Sequence, residues 1–186
     1  MRREMLNKRN ALTAFEIYLK SKKIQEILTG SEIFGRSKVL GVYIAHGSEV
    51  RTRMIIEAGF RANKIVGVPK IIDPDIVKFY QIEDITSKSL GKGRYGISEP
   101  KETTKDVTEI IDLLIVPGLA FDGHGYRLGH GKGYYDKFLT EKGRMVSIGL
   151  AFGFQLAKTK TLPHNIDDRK IDKIVTETGI HSLESD

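Results

Sequence analysis

The chain has no cysteine. Disulfides, thiolate nucleophiles and cysteine metal sites are therefore excluded. No apolar run approaches the roughly 20 residues that a membrane helix needs. Nothing apolar follows Met1-Arg2-Arg3-Glu4 in the manner of a secretory leader. The expectation is a cytoplasmic protein with no membrane partner. There is no repeat of the 20–50 residue class and no low-complexity tract, so solenoids and linker-built chains are not expected. The GxxxxGK[ST] phosphate loop and the dinucleotide fingerprint are missing too. Any nucleotide site here must be built differently.

What is present suits a layered domain. The chain has 186 residues and is 40% hydrophobic, enough for a single domain over 1–186 with a sizeable core. Its net charge of +6 favours anionic ligands. The basic residues are spread along the chain rather than gathered in one arm, which argues against a nucleic-acid partner.

The first 29 residues read as helical. Leu6, Phe15, Leu19, Ile24 and Leu28 share an apolar face, and Gly30 is the stop. Lys38 to Ala45 (KVLGVYIA) reads as a buried strand, and Ser48 or Thr52 as the cap of a helix ending near Gly59. Lys64 to Val68 reads as the next strand, halted by Pro69. That order is a parallel crossover unit. Ile76 to Ile82 is a further strand, and residues 83–109 read mostly as loop. Ile110 to Val116 (IIDLLIV) is the strongest buried-strand signal. Met145 to Phe152 follows, and Ile171 to Thr176 is expected to be the last. Alternating strands and helices imply an α/β fold.

The chemistry is expected just after the strongest strand. Five of the eleven residues from Gly123 to Gly133 are glycine, so backbone N–H groups can approach a ligand closely. Such a loop entering a helix presents those groups and the positive helix end to an anion. Arg127 and Lys132 can add charge-assisted contacts to phosphate oxygens. Asp136, near the start of the next helix, can hold Mg²⁺ beside them. A flexible turn carrying a few charges is the alternative on these residues alone.

RLGHGKGYYDKFL at 127–139 resembles the signature of the 5-formyltetrahydrofolate cyclo-ligase family. PGLAFD at 117–122, GISEP at 96–100, the AFxxQ pattern at Phe152 and Gln155, and DDRKID at 167–172 match the same family in the same order. SEVRT at 48–52 matches more loosely. The resemblance implies a three-layer α/β/α fold with a mostly parallel sheet, of the NagB/RpiA/CoA-transferase-like kind. It implies ATP- and Mg²⁺-dependent cyclisation of 5-formyltetrahydrofolate to 5,10-methenyltetrahydrofolate, with ADP and phosphate released; a monomer is expected.

Carried over by motif, Arg127, Leu128, Gly129, His130, Gly131, Lys132, Gly133, Tyr134 and Tyr135 would contact ATP, with Arg127 and Lys132 catalytic. His130 to Tyr134 would also meet the folate, together with Ile44 and Glu49. Asp136 and Asp168 would bind Mg²⁺. The family's N-terminal ATP-binding arginine falls on Arg2, with Arg3 as the alternative, and its neighbouring lysine position falls before Met1. Tyr95 stands where members often have an aromatic residue. Two other readings remain: a non-catalytic or nucleic-acid-binding relative, and another ATP- or phosphosugar-using enzyme. The presence of Arg127, Lys132, Asp136 and Asp168 favours the enzyme.

Overall fold

The computed structural model describes residues 1–73, 76–86, 88–93, 98–101, 105–129, 131, 133–140, 143, 145–157 and 161–184. Its centre is the set of short β-branched runs, each buried on both faces as parallel strands require. β1 (Val39–Val42) and β6 (Leu113–Val116) are buried at every position. Between β1 and β2 (Ile65–Asp73) the chain crosses through α4 (Arg53–Arg61), the expected unit. β3 (Ile76–Ile82) pairs antiparallel with β2 as one edge of the sheet. β9 (Val146–Leu150) and β11 (Lys173–Thr176) extend it beyond β6, and β12 (Gly179–His181) closes the other edge antiparallel. The order is β12-β11-β9-β6-β1-β2-β3. One apolar cluster, including Ile24, Leu40, Ile56 and Phe152, covers one part of this sheet. A second gathers Phe79, Leu114, Phe121 and Leu139.

Several expectations are corrected. The N-terminal helix is two: α1 (Arg2–Asn10) and α2 (Ala14–Thr29). Thr13 separates them. Its hydroxyl accepts from Glu16 N, and the Glu16 carboxylate accepts from Thr13 N, a reciprocal cap that starts a new helix. α2 does end at Gly30, but its buried face is Ile17, Ser21, Ile24, Gln25 and Leu28. Phe15 and Leu19 are exposed. Ser21 and Gln25 are buried because they accept from Arg51 N (3.0 Å) and Met54 N (2.9 Å) at the start of α4. Thr52 precedes α4 but does not cap it. Its hydroxyl donates instead to Tyr43 O, 2.7 Å away. A five-residue α3 (Glu32–Arg36), capped by Ser31, leads into β1.

β2 does not stop at Pro69. Among the described residues, β1 pairs with Ile65, Val66 and Gly67, and beyond them β2 has β3 as its partner. A proline on such an edge forfeits no ladder bond on its open side. Residues 83–109 include a small hairpin, β4 (Leu90–Lys92) with β5 (Ser98–Pro100). A further small sheet was not expected: β7 (Ala120–Asp122) pairs with β8 (Arg127–Leu128) and with β10 (Leu156–Ala157). It carries the glycine-rich segment away from β6 towards α5 (Tyr134–Thr140).

Candidate active site

The segments that carry the expected chemistry all leave the carboxyl ends of parallel strands. Residues 44–49 follow β1, residues 117–136 follow β6, and residues 151–169 follow β9. Ligands of open α/β sheets bind at that edge.

The turn after β6 is shaped by two buried polar side chains. Gln155 Nε2 donates to Gly118 O and Leu119 O, both at 3.0 Å, and its Oε1 accepts from Phe152 N. This explains why the PGLA and AFxxQ blocks occur together, since one glutamine joins them. Asp122, fully buried, accepts from His124 N and Tyr126 N with Oδ1 and from Leu162 N with Oδ2. It closes the β7–β8 hairpin and ties to it the segment leading to Asp168. Sequence reasoning quoted both residues as parts of motifs and missed these roles. Their partners lie up to 40 positions away.

Arg127 leaves β8 with its side chain only 6% exposed. Its Nη2 is 2.8 Å from Asp136 Oδ2 in the first turn of α5, and its Nη1 donates to Arg169 O. Asp136 Oδ1 accepts from Arg169 N at 3.0 Å. Arg169, the residue next to Asp168 in the chain, is therefore docked on Asp136. Asp168 Oδ2 accepts from Asn165 N within its own turn.

These carboxylates fit Mg²⁺, which takes hard oxygen ligands and is commonly held by one or two carboxylates plus phosphates and water. Among the described residues no group of three His, Asp or Glu could form a dedicated metal cage.

Gly131 and Gly133 have φ of +92° and +68°, a region that side chains rarely adopt. A Cβ on Gly129, Gly131 or Gly133 would meet none of the described residues within 4 Å. Packing against those residues therefore does not demand these glycines. Leu128 is buried beneath them with Ala120 and Leu162. Arg2 Nε donates to Gly129 O at 3.1 Å, which places α1 over the loop. Arg3 is exposed on the same helix. His130, Lys132 and Tyr95 lie outside the described residues.

On the β1 side, Glu49 forms a tight turn. Its Oε2 accepts from His46 N at 2.9 Å, and its own N–H donates to His46 O. Ile44, half-buried, packs on the first core cluster. Burial pushes the Tyr43 hydroxyl well above the ordinary phenol value, and the negative charge of Glu49 adds to this. Tyr135 is raised for the same two reasons, against the pull of Arg127. Both phenols therefore stay neutral donors at physiological pH. The charges of Glu49 and Arg127 both bear on Tyr135. Tyr135 packs on the second core cluster, and Tyr134 lines a cavity of about 280 Å³ with Val77, Ile111, Phe138 and Met145.

The model of the 5-formyltetrahydrofolate cyclo-ligase family matches residues 1–177. The chain is 30% identical over 192 residues to the 5-formyltetrahydrofolate cyclo-ligase of Mus musculus, covering 95% of this chain and 92% of that one. It is 34% identical over 141 residues to a probable 5-formyltetrahydrofolate cyclo-ligase of Schizosaccharomyces pombe, with 69% of each chain covered. Among solved structures, the NMR structure of Aquifex aeolicus 5,10-methenyltetrahydrofolate synthetase superposes with a TM-score of 0.85 at 32% identity. That match covers 100% of this chain and 92% of the other.

Proposed function

Because the chain belongs to the 5-formyltetrahydrofolate cyclo-ligase family, we propose that it converts 5-formyltetrahydrofolate to 5,10-methenyltetrahydrofolate with ATP and Mg²⁺, releasing ADP and phosphate. The observation that carries the reading is the junction of Arg127, Asp136 and the Arg169 backbone at the end of the glycine-rich segment. The same reading takes residues 1–186 as one domain acting as a monomer in the cytoplasm. Among the described residues no helix is long and apolar enough to cross a membrane.

A formamide oxygen is a poor leaving group. Transfer of the terminal phosphoryl of ATP to that oxygen makes it a good one. N10 then attacks the formyl carbon and gives up its proton to solvent, the C–O bond breaks, and phosphate departs with the oxygen. Such chemistry asks for positioning and charge neutralisation more than for a protein nucleophile. The N–H groups of residues 129–133 cradle the phosphates, and Lys132 neutralises charge spreading over the transferred group. Arg2 holds the loop from above through Gly129 O.

Asp136 and Asp168 would hold Mg²⁺, which would supply charge neutralisation on the phosphate oxygens. Arg127 fixes the Asp136 carboxylate in place. Glu49 accepts from pterin N–H donors, which a carboxylate can do with two oxygens, and Ile44 supplies an apolar wall beside it.

The test is the growth of methenyltetrahydrofolate absorbance from 5-formyltetrahydrofolate, with ATP and Mg²⁺ each omitted in turn. Turnover should vanish without ATP and in excess EDTA, and return on adding Mg²⁺. Robust cyclisation in EDTA would remove Asp136 and Asp168 from metal binding. No cyclisation under any of these conditions would refute the assignment.

A further inference from the structure

α1 presents an anomaly. Nine residues long, it buries one side chain fully, and that side chain is Arg9, 4% exposed. Met5 and Leu6, the apolar candidates, are only half-buried. A guanidinium remains charged at neutral pH, and burying a charge is unfavourable unless it is paired and hydrogen-bonded.

The pairing is visible. Arg9 Nε donates to Ser48 Oγ at 3.1 Å. Ser48 Oγ in turn donates to Asn10 Oδ1 at 2.5 Å, so two successive residues of α1 grip one side chain. Burial pulls Arg9 below its ordinary value, and the carboxylate of Glu49 opposes that pull more than any other group. The guanidinium thus faces the Glu49 turn. That turn carries a glycine at φ +57°, Gly47, and has exposed residues at its tip, so little apolar packing holds it. Below it, Tyr43 is already committed through its hydroxyl to Val50 O. The rigid partner available to the outer half of the turn is α1.

We infer that Arg9 is a positioning residue for Glu49: from α1 it holds the Ser48–Glu49 turn, and with it the carboxylate, at the place where the pterin head binds. This rests on the proposed function above. Arg9 is too buried to meet substrate itself. The same helix reaches the glycine-rich loop through Arg2 and Gly129 O, so α1 spans the two halves of the site with one arginine on each. Arg9 serves the folate half. Its loss is expected in the KM for 5-formyltetrahydrofolate and not in the KM for ATP.

Steady-state kinetics on the full chain test this. Arg9→Ala should raise the folate KM by about tenfold, the size of effect that loss of one positioned charge contact gives. The ATP KM should change by less than about twofold. Arg9→Lys, which keeps the charge and loses the planar Nε–H donor, should restore part of the affinity. Ser48→Ala removes the shared hydroxyl without emptying a buried site, and so reports on the same contact if Arg9→Ala folds poorly. It should raise the folate KM in the same direction.

The decisive measurement is the double variant Arg9→Ala/Glu49→Gln. If Arg9 works through Glu49, the double variant binds folate no worse than Glu49→Gln alone. Independent, multiplying losses would overturn the inference. So would equal rises in the ATP and folate KM values, or a folded Arg9→Ala protein with a normal folate KM. In each of those cases wild-type turnover would leave the proposed function standing. A wild-type chain that does not cyclise 5-formyltetrahydrofolate would overturn both.

Discussion

Replacing Asp122 by asparagine exchanges one oxygen for an NH₂ group in a fully buried place. The carboxylate there accepts three backbone N–H groups, from His124 at 3.0 Å, Tyr126 at 2.9 Å and Leu162 at 2.8 Å. An asparagine does best by keeping its carbonyl oxygen at the Oδ1 position, where two donors converge. Its NH₂ group then faces Leu162 N, donor against donor. That breaks one hydrogen bond and strands a buried N–H, which costs about 1–3 kcal/mol. The other two bonds lose their charge assistance, roughly 0.5–1 kcal/mol each. A neutral amide is easier to bury than a carboxylate, which offsets part of this.

The net expectation for Asp122→Asn is a destabilisation of about 2–4 kcal/mol. For a chain of this length about 2–4 °C of Tm accompanies each kcal/mol, so the melt should fall by roughly 5–15 °C. Asp122→Ala strands all three N–H groups and should consume much of a typical net stability of about 5–15 kcal/mol. The assay is thermal and urea unfolding followed by circular dichroism. Kinetics at a temperature well below both transitions should show a further effect. With the Leu162 tether gone, the segment carrying Asp168 loosens, and the KM for Mg-ATP rises more than the KM for folate. An Asp122→Asn melt within about 1 °C of wild type would refute the reasoning, because it would mean that the three contacts have no need of a carboxylate.

Gly129→Ala should melt like the wild type, since a Cβ there meets none of the described residues and the backbone is not in a glycine-only conformation. If its backbone approaches phosphate, the ATP KM should nevertheless rise, and an unchanged KM would exclude that approach. Lys132→Ala should lower kcat by on the order of 10²–10³, with Lys132→Arg recovering only part. A folded Lys132→Ala enzyme with normal kcat would leave the loop as a backbone-only cradle. Glu177 is also testable. Its burial works to raise its pKa, but Lys20 Nζ at 2.6 Å and Gly153 N at 2.8 Å outweigh that and hold it below its ordinary value of 4.5. A depressed folded pKa gives stability that is present above the unfolded value and lost as pH falls through the folded one. In urea unfolding, the advantage of wild type over Glu177→Gln should therefore shrink as the pH drops below about 4.5.

The sequence by itself determined the parallel heart of the sheet. β1 and β6 are contiguous apolar runs buried at every position, and β9 and β11 are short runs buried at all but their first residue; segments of that kind have few other structures open to them. It also determined the family, because the motifs occur in that family's order. Tertiary structure alone decided the rest, for one recurring reason: a polar residue's place depends on a partner that local pattern does not show. Ser21 and Gln25 turned the buried face of α2 away from Phe15 and Leu19 by meeting the start of α4. Asp122 and Gln155 became the joints of a small second sheet through backbone groups 36 to 40 residues away. Pro69 could sit inside β2 only because β1 is short. Arg9 reads in the sequence as one more surface cation on a polar helix. Its burial against Ser48 and Glu49 exists only once β1 has delivered that turn beneath α1.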